Sequence, residues 1–161
     1  MTDYVPEPGH EQFIAELASE MKADEPRSLV FSMSRYQIFD DQSPTAVLAS
    51  ATTDLGLIMW NLSPGQENDY HVHPNTEHLH IIVQGEVEYT LADFPPRTMK
   101  VGEAVLVPAG IPHGIRNLSH APASYLAVAG MTSGPYEKIH LERPQAKTAN
   151  DGWGRFPGRI L

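Results

Sequence analysis

The spacing of apolar residues changes near Pro26. Before it, apolar residues recur at intervals of three and four and therefore share one helical face: Phe13, Ile14, Leu17 and Met21. Pro26 itself prevents a helix from continuing, because its ring has no backbone N–H to donate. We therefore expect an extended arm and one short amphipathic helix within residues 1–27.

After Pro26, short apolar segments alternate with turn residues. Val87, Tyr89 and Leu91 alternate with polar residues in a half-buried strand pattern. The predicted strands are residues 28–33, 45–51, 55–62, 71–73, 77–84, 86–91, 104–107 and 124–129. Many short strands separated by turns are typical of an all-β sandwich or barrel. We expect this domain to span residues 28–131.

The pattern fades in the last part of the chain. Residues 131–161 carry three prolines and four glycines among scattered apolar residues. We expect an irregular C-terminal tail over residues 132–161, which lies across the domain or reaches a neighbouring subunit.

Composition narrows the choice of partners and ligands. The formal net charge of −9 argues against nucleic acid or an anionic membrane as the main partner. There is no cysteine, so any metal must be held by His, Asp or Glu. The sequence has no run of about 18 apolar residues, so we expect no membrane span. The N-terminal residues MTDYVPEPGH lack the basic and apolar regions of a secretory signal, so we expect a cytoplasmic protein.

Histidines concentrate in residues 70–85, and a further one, His113, lies in a turn-rich segment. His71 and His73 are two residues apart, which places both imidazoles on one face of a strand. His113 lies between a proline and a glycine, where the backbone can direct it towards the same point. Three imidazoles and one further ligand suit Zn(II), Fe(II), Ni(II) or Mn(II).

The spacing of these residues resembles the two motifs of the cupin superfamily. In the first motif, Gly65 precedes His71-Val72-His73 by five intervening residues, and Gly85 follows. The second motif, G-x5-P-x-G-x2-H-x3-N, is matched at every position by Gly102, Pro108, Gly110, His113 and Asn117. The resemblance implies a single-domain antiparallel β-barrel of jelly-roll type and favours a homodimer. It does not identify the reaction, because one fold supports many functions.

One position departs from the family pattern. In cupins, three or four residues usually separate the second histidine from a ligand glutamate, and six residues separate that glutamate from the glycine. Glu77 satisfies only the first spacing, whereas His78 satisfies both. Neighbouring strand residues face opposite sides, so only one of the two points inward. We favour His78, with His80 on the same face, and keep Glu77 as the fallback ligand or, if it is not a ligand, as a candidate general base.

The resemblance therefore implies one divalent transition metal per chain, held by His71, His73, His78 and His113. Fe(II) is the first choice of metal and Zn(II) the second, with Ni(II) or Mn(II) as further options. Neutral imidazoles cancel none of the metal's charge, so such a centre suits an anionic oxygen ligand such as an enolate or phenolate.

Cupins with all-histidine sites include iron dioxygenases and zinc-dependent polyketide cyclases. We hypothesise a metal-dependent enzyme for a small organic substrate, with dioxygenase chemistry first. A zinc-dependent cyclase or isomerase is the second choice, and a non-catalytic cupin that binds a small ligand is the third. The remaining histidines lie outside the motifs, and we expect them to face solvent: His10, His120 and His140.

Overall fold

The structure is a computed structural model, and it describes residues 30, 32–52, 54–130 and 137–144. These residues form a short 3₁₀ helix, Met33–Tyr36, and ten β-strands. The strands are β1 Thr45–Ala51, β2 Leu55–Leu62, β3 Glu67–Val72, β4 His78–Gln84, β5 Glu86–Leu91, β6 Arg97–Lys100, β7 Ala104–Val107, β8 His113–Arg116, β9 Ala123–Gly130 and β10 Ile139–His140. No helix in this part of the chain has the length and apolar character that a membrane span requires. The helix predicted before Pro26 lies outside the described residues.

The strands form two five-stranded antiparallel sheets that pack face to face. The first sheet has the order β1-β2-β9-β4-β7, and the second has the order β10-β3-β8-β5-β6. Trp60 and Tyr125 of the first sheet bury one common core with Tyr89 and Ile115 of the second. The sheets therefore present their apolar faces to each other.

The prediction of an all-β antiparallel fold of jelly-roll type is confirmed, but the predicted β-barrel is an open sandwich of two sheets that hydrogen bonds do not close. Within the described residues, hydrogen bonding ends at β1 and β7 in the first sheet and at β10 and β6 in the second. Two sheets bury their apolar faces by packing on each other, and this does not require their edges to be joined by hydrogen bonds.

Strand β5 shows how burial follows the alternating pattern. Val87, Tyr89 and Leu91 point into the core and are 1%, 0% and 2% exposed. Thr90 faces the other way but is also buried, and the Nη1 of Arg143 donates to its hydroxyl oxygen at 2.7 Å. Part of the C-terminal segment thus covers the outer face of the second sheet.

One local prediction is wrong. A strand was expected at residues 28–33, but Val30 is 85% exposed and outside any strand, and Met33 begins the 3₁₀ helix. The N–H of Arg35 donates to the carbonyl oxygen of Ser32 at 3.1 Å, so this backbone closes a local turn instead of pairing with a neighbouring strand. In the described part of the tail, residues 137–144, Ile139–His140 pairs with β3 as a two-residue edge strand, and the other residues lie outside any helix or strand.

Candidate metal centre

Strand pairing brings three histidines together at one end of the second sheet. His71 of β3 lies opposite His113 of β8, and their ring centroids are 4.4 Å apart. His73 follows β3, with its ring centroid 4.7 Å from that of His71 and 5.7 Å from that of His113. The three side chains are buried, and each offers a nitrogen within 4.8 Å of the other two. This spacing suits one shared metal ion.

The turn before β8 fixes the position of His113. Gly110 adopts a φ of 78°, a left-handed conformation that glycine reaches without steric cost. Its N–H donates to the carbonyl oxygen of His73 at 2.9 Å, and the N–H of Ile111 donates to that of Pro108 at 3.2 Å. The turn is therefore tied to the residue that contributes the second imidazole of the cluster.

Backbone carbonyl oxygens set the orientation and tautomer of all three rings. Each Nδ1 lies within hydrogen-bond distance of one carbonyl oxygen: 2.5 Å for His71 and Asp69, 2.7 Å for His73 and Glu137, and 3.1 Å for His113 and Ile111. Because a carbonyl oxygen can only accept, Nδ1 carries the proton in each neutral ring and Nε2 keeps its lone pair. Histidines that bind metals usually have such a partner on their other nitrogen. The residues present therefore fit a divalent transition metal.

Burial keeps these rings neutral at physiological pH. Desolvation lowers the pKa of His73 to about 2 and that of His113 to about 4, and it holds the pKa of His71 well below the usual value. The neighbouring imidazoles and Lys138 reinforce the effect. A neutral imidazole is the form that binds a metal, so the site does not need to lose protons near pH 7.

His78 lies beside the group of three. It is 5% exposed, and its ring centroid is 4.4 Å from that of His73 and 5.8 Å from that of His113. Among the described residues, its Nδ1 is the buried side-chain polar atom that has no hydrogen-bond partner. Leaving such an atom unsatisfied costs about 1–3 kcal/mol, which a bound group would offset. His78 is nevertheless not part of the group whose nitrogens all lie within 4.8 Å.

Glu77, the alternative to His78 as a ligand, does not point inward. It is exposed, whereas His78 is buried, so the inward position belongs to the histidine. The backbone oxygen of Glu77 accepts a hydrogen bond from Gly130 at 3.0 Å. Glu77 is also absent from the group of potential metal ligands in the described residues.

A second buried polar group lies behind the cluster. The Nδ1 of His80 and the hydroxyl of Tyr89 are 2.7 Å apart, and both side chains are buried. The ring centroid of His80 is 5.4 Å from that of His113 and 5.1 Å from that of Tyr125. His80 therefore connects the candidate metal centre with the tyrosines of the core.

The C-terminal segment adds residues that the motifs did not indicate. Lys138 comes close enough to the cluster for its charge to lower the pKa of His71, His73 and His113. His140 has only 14% of its side chain exposed, with its Nδ1 3.3 Å from a carboxylate oxygen of Asp69, so the expectation that it faces solvent is wrong. The contacts cross about seventy residues of sequence at no fixed motif spacing, so no sequence signal could have found them.

Comparisons with known proteins show that the histidine cluster lies in a region that resembles a known family. A family model described as "Cupin domain" matches residues 58–129, which include the four histidines predicted as ligands. Germin-like protein subfamily 2 member 2 of Arabidopsis thaliana is 30% identical over 80 residues, a match that covers 47% of this chain and 36% of the relative. The chain thus corresponds to much less than two thirds of that protein.

Solved structures share the fold. An uncharacterized conserved protein with a double-stranded β-helix domain from Klebsiella pneumoniae has a TM-score of 0.65 at 24% identity, covering 71% of this chain and 100% of that chain. An oxalate oxidase structure has a TM-score of 0.57 at 15% identity, covering 73% of this chain and 66% of that one. At these identities the likeness establishes the fold alone.

Proposed function

We propose that this chain, which a cupin family model matches over residues 58–129, is a metal-dependent enzyme acting on a small organic substrate of enolate or phenolate type, with Fe(II) dioxygenase chemistry as the leading reaction. One observation carries the proposal. Three buried histidines from β3, the turn after it and β8 converge, and each has its Nδ1 proton directed at a backbone carbonyl oxygen. This leaves three Nε2 lone pairs available in one place.

In this proposal His71, His73 and His113 hold the metal through Nε2. His78 supplies the fourth nitrogen or contacts the bound ligand, because its unpartnered Nδ1 lies in the same buried cluster. When bound, Fe(II) supplies redox chemistry, whereas Zn(II) supplies only Lewis acidity. The histidines are neutral and leave the metal's charge uncompensated, which favours an anionic oxygen ligand.

In this proposal, burial of the cluster keeps bulk water out, and Glu77 accepts a proton. Burial of the cluster excludes bulk water, which strengthens electrostatic interactions with a bound ligand. Glu77 is exposed and directly precedes His78, and we assign it the part of a general base that takes a proton from the substrate. Its role requires the substrate to reach its side of β4.

The experiment is elemental analysis of the protein purified without chelators or added metal, followed by oxygen uptake with diketones and dihydroxyaryl ketones. We expect near-stoichiometric iron and substrate-dependent uptake, both lost in His71→Ala. Stoichiometric zinc without oxygen uptake would replace the dioxygenase with a cyclase or isomerase. A protein that takes up no metal would overturn the proposal.

A further inference from the structure

Lys138 brings a positive charge into the space between the two sheets. It directly precedes β10, and its Nζ donates to the Oδ1 of Asn68 on β3 at 3.1 Å. The same nitrogen lies 5.9 Å from the ring centroid of Trp60 on β2, in the opposite sheet. The side chain therefore reaches from the edge of the second sheet towards the first.

Asn68 marks how far inside this position is. It is 6% exposed, and its Nδ2 donates to the hydroxyl oxygen of Tyr125 at 2.8 Å. Tyr125 in turn lies beside His80, with ring centroids 5.1 Å apart. The ammonium group of Lys138 is thus bound to the same interior polar network that adjoins the histidine cluster.

The described residues do little to compensate the positive charge of this ammonium group. Its hydrogen-bond partner Asn68 is neutral, and no carboxylate of the described residues lies within ion-pair distance of it. Asp69 attracts it only from further away. Desolvation lowers the pKa of Lys138 to about 8, so the charged form still predominates at pH 7. A bound metal would add a second positive charge to this region.

We propose that Lys138 binds the anionic oxygen of the substrate, a carboxylate or an enolate, while that substrate occupies the three-histidine metal centre. The inference rests on the proposed function, and it names the charge class of the substrate. A lysine ammonium group has three N–H donors, and Asn68 accepts one of them. An anion between the metal and Lys138 would compensate both charges, and Trp60 and Asn68 hold the ammonium group in place.

The test is calorimetric titration of the metal-loaded full-length protein with benzoate and with benzamide, which has a similar shape but no charge. The variants are Lys138→Met, which removes the charge, and Lys138→Arg, which keeps it. Lys100→Met is the matched control, because Lys100 is an exposed lysine on β6. Metal content and thermal unfolding are measured on every preparation.

We expect wild type to bind benzoate more tightly than benzamide. Lys138→Met should weaken benzoate binding by about tenfold to a hundredfold, the range of a hydrogen bond to a charged group, with metal content and benzamide binding unchanged. The benzoate affinity of Lys138→Arg should stay within a few fold of the wild-type affinity, and Lys100→Met should bind benzoate as tightly as wild type does. If Lys138→Met does not fold, a loss of benzoate preference in Lys138→Gln serves as the same test.

Three results would overturn the inference alone: equal benzoate affinity in wild type and Lys138→Met, no preference of wild type for benzoate, or loss of metal from both Lys138 variants, which would assign the residue to structural support. If the wild-type protein takes up no metal, the proposed function itself fails, because there is then no metal centre for the substrate to occupy. The metal analysis therefore separates failure of the inference from failure of the proposed function.

Discussion

The backbone carbonyl oxygen of Glu137 lies 2.7 Å from the Nδ1 of His73, although 64 residues separate them in the sequence. The carbonyl oxygen accepts the Nδ1 proton and so holds the ring with Nε2 directed towards the other histidines. Glu137 lies two residues before β10, whose pairing with β3 keeps this carbonyl group in place. The C-terminal segment is therefore a structural part of the candidate metal centre.

Detaching this segment should weaken metal binding without changing a ligand. The N–H of Leu141 donates to the carbonyl oxygen of Tyr70 at 2.9 Å, and Leu141→Pro removes that donor. We expect metal affinity to fall by about tenfold to a hundredfold, the usual effect of losing a partner of a ligand histidine. The measurement is metal competition against a chromophoric chelator. Leu141→Ala keeps the N–H and is the control, so equal affinities in the two variants would contradict this role.

Removing a central imidazole should abolish stoichiometric metal binding. His71 and His113 face each other across the β3–β8 pair, and among the described residues only His73 joins them in a group whose ligand nitrogens all lie within 4.8 Å of one another. We expect His71→Ala and His113→Ala to be purified without metal and to stay metal-free after dialysis against Fe(II) or Zn(II). His120→Ala is the control, because His120 is exposed. Full metal content in either His71→Ala or His113→Ala would exclude the three-histidine centre.

The choice between Glu77 and His78 can be decided by a pair of variants. His78 is buried beside His73 with an unpartnered Nδ1, whereas Glu77 is exposed. We expect His78→Ala to weaken metal binding by about tenfold or more and Glu77→Ala to leave it unchanged, as judged by the same chelator competition. Glu77→Gln should lower turnover at constant metal content if this residue is the general base. The opposite pattern of metal affinities would make the glutamate the ligand.

Glycine at the turn between β4 and β5 should be needed for stability. Gly85 has a φ of 66°, and a Cβ there would lie 2.6 Å from the backbone oxygen of Pro122. Gly102 has a φ of 88° but nothing within 4 Å of a Cβ. Gly102→Ala should therefore cost only the backbone strain, about 1–2 kcal/mol, and Gly85→Ala clearly more. Urea unfolding measures both, and equal losses would show that the contact with Pro122 relaxes.

Much of the candidate site could be predicted from the sequence because its determinants are local. The two-residue spacing of His71 and His73 follows from the strand period, and the glycine spacing favoured His78 over Glu77. The inward position of His78 and the exposure of Glu77 in the structure agree with that register. Periodicity and motif spacing were sufficient wherever neighbouring residues along one strand determine which side is buried.

The remaining features depend on contacts between distant parts of the chain. Lys138 reaches Asn68 across 70 residues, and β10 is only two residues long, too short to show any alternation. The open sandwich depends on which strands pair at the sheet edges, and short strands carry little information about that. The tail therefore had no local signal that it would form a strand or border the metal centre.

The metal-free protein should lose stability as the pH becomes acidic. Burial lowers the pKa of His73, His78 and His113 to about 2, 3 and 4, from 6.5 in a solvated imidazole. Between these values and 6.5 the unfolded chain binds more protons than the folded chain, so the free energy of unfolding falls as the pH falls. Each histidine contributes at most about 1.4 kcal/mol per pH unit, and its contribution levels off below its folded pKa.

Urea unfolding of metal-free protein at pH 7, 6 and 5 measures this slope. We expect a progressive loss of stability over this range. We expect His78→Leu to reduce the slope, by about one proton at pH 5 and by less at pH 7, since it removes one of the groups that must be deprotonated to fold. His120→Gln is the control, because His120 is exposed and lies outside the cluster. A free energy of unfolding that stays constant from pH 7 to pH 5 would mean that the imidazoles accept protons in the folded state, and the cluster would then not be the buried, neutral ligand set that a metal centre requires.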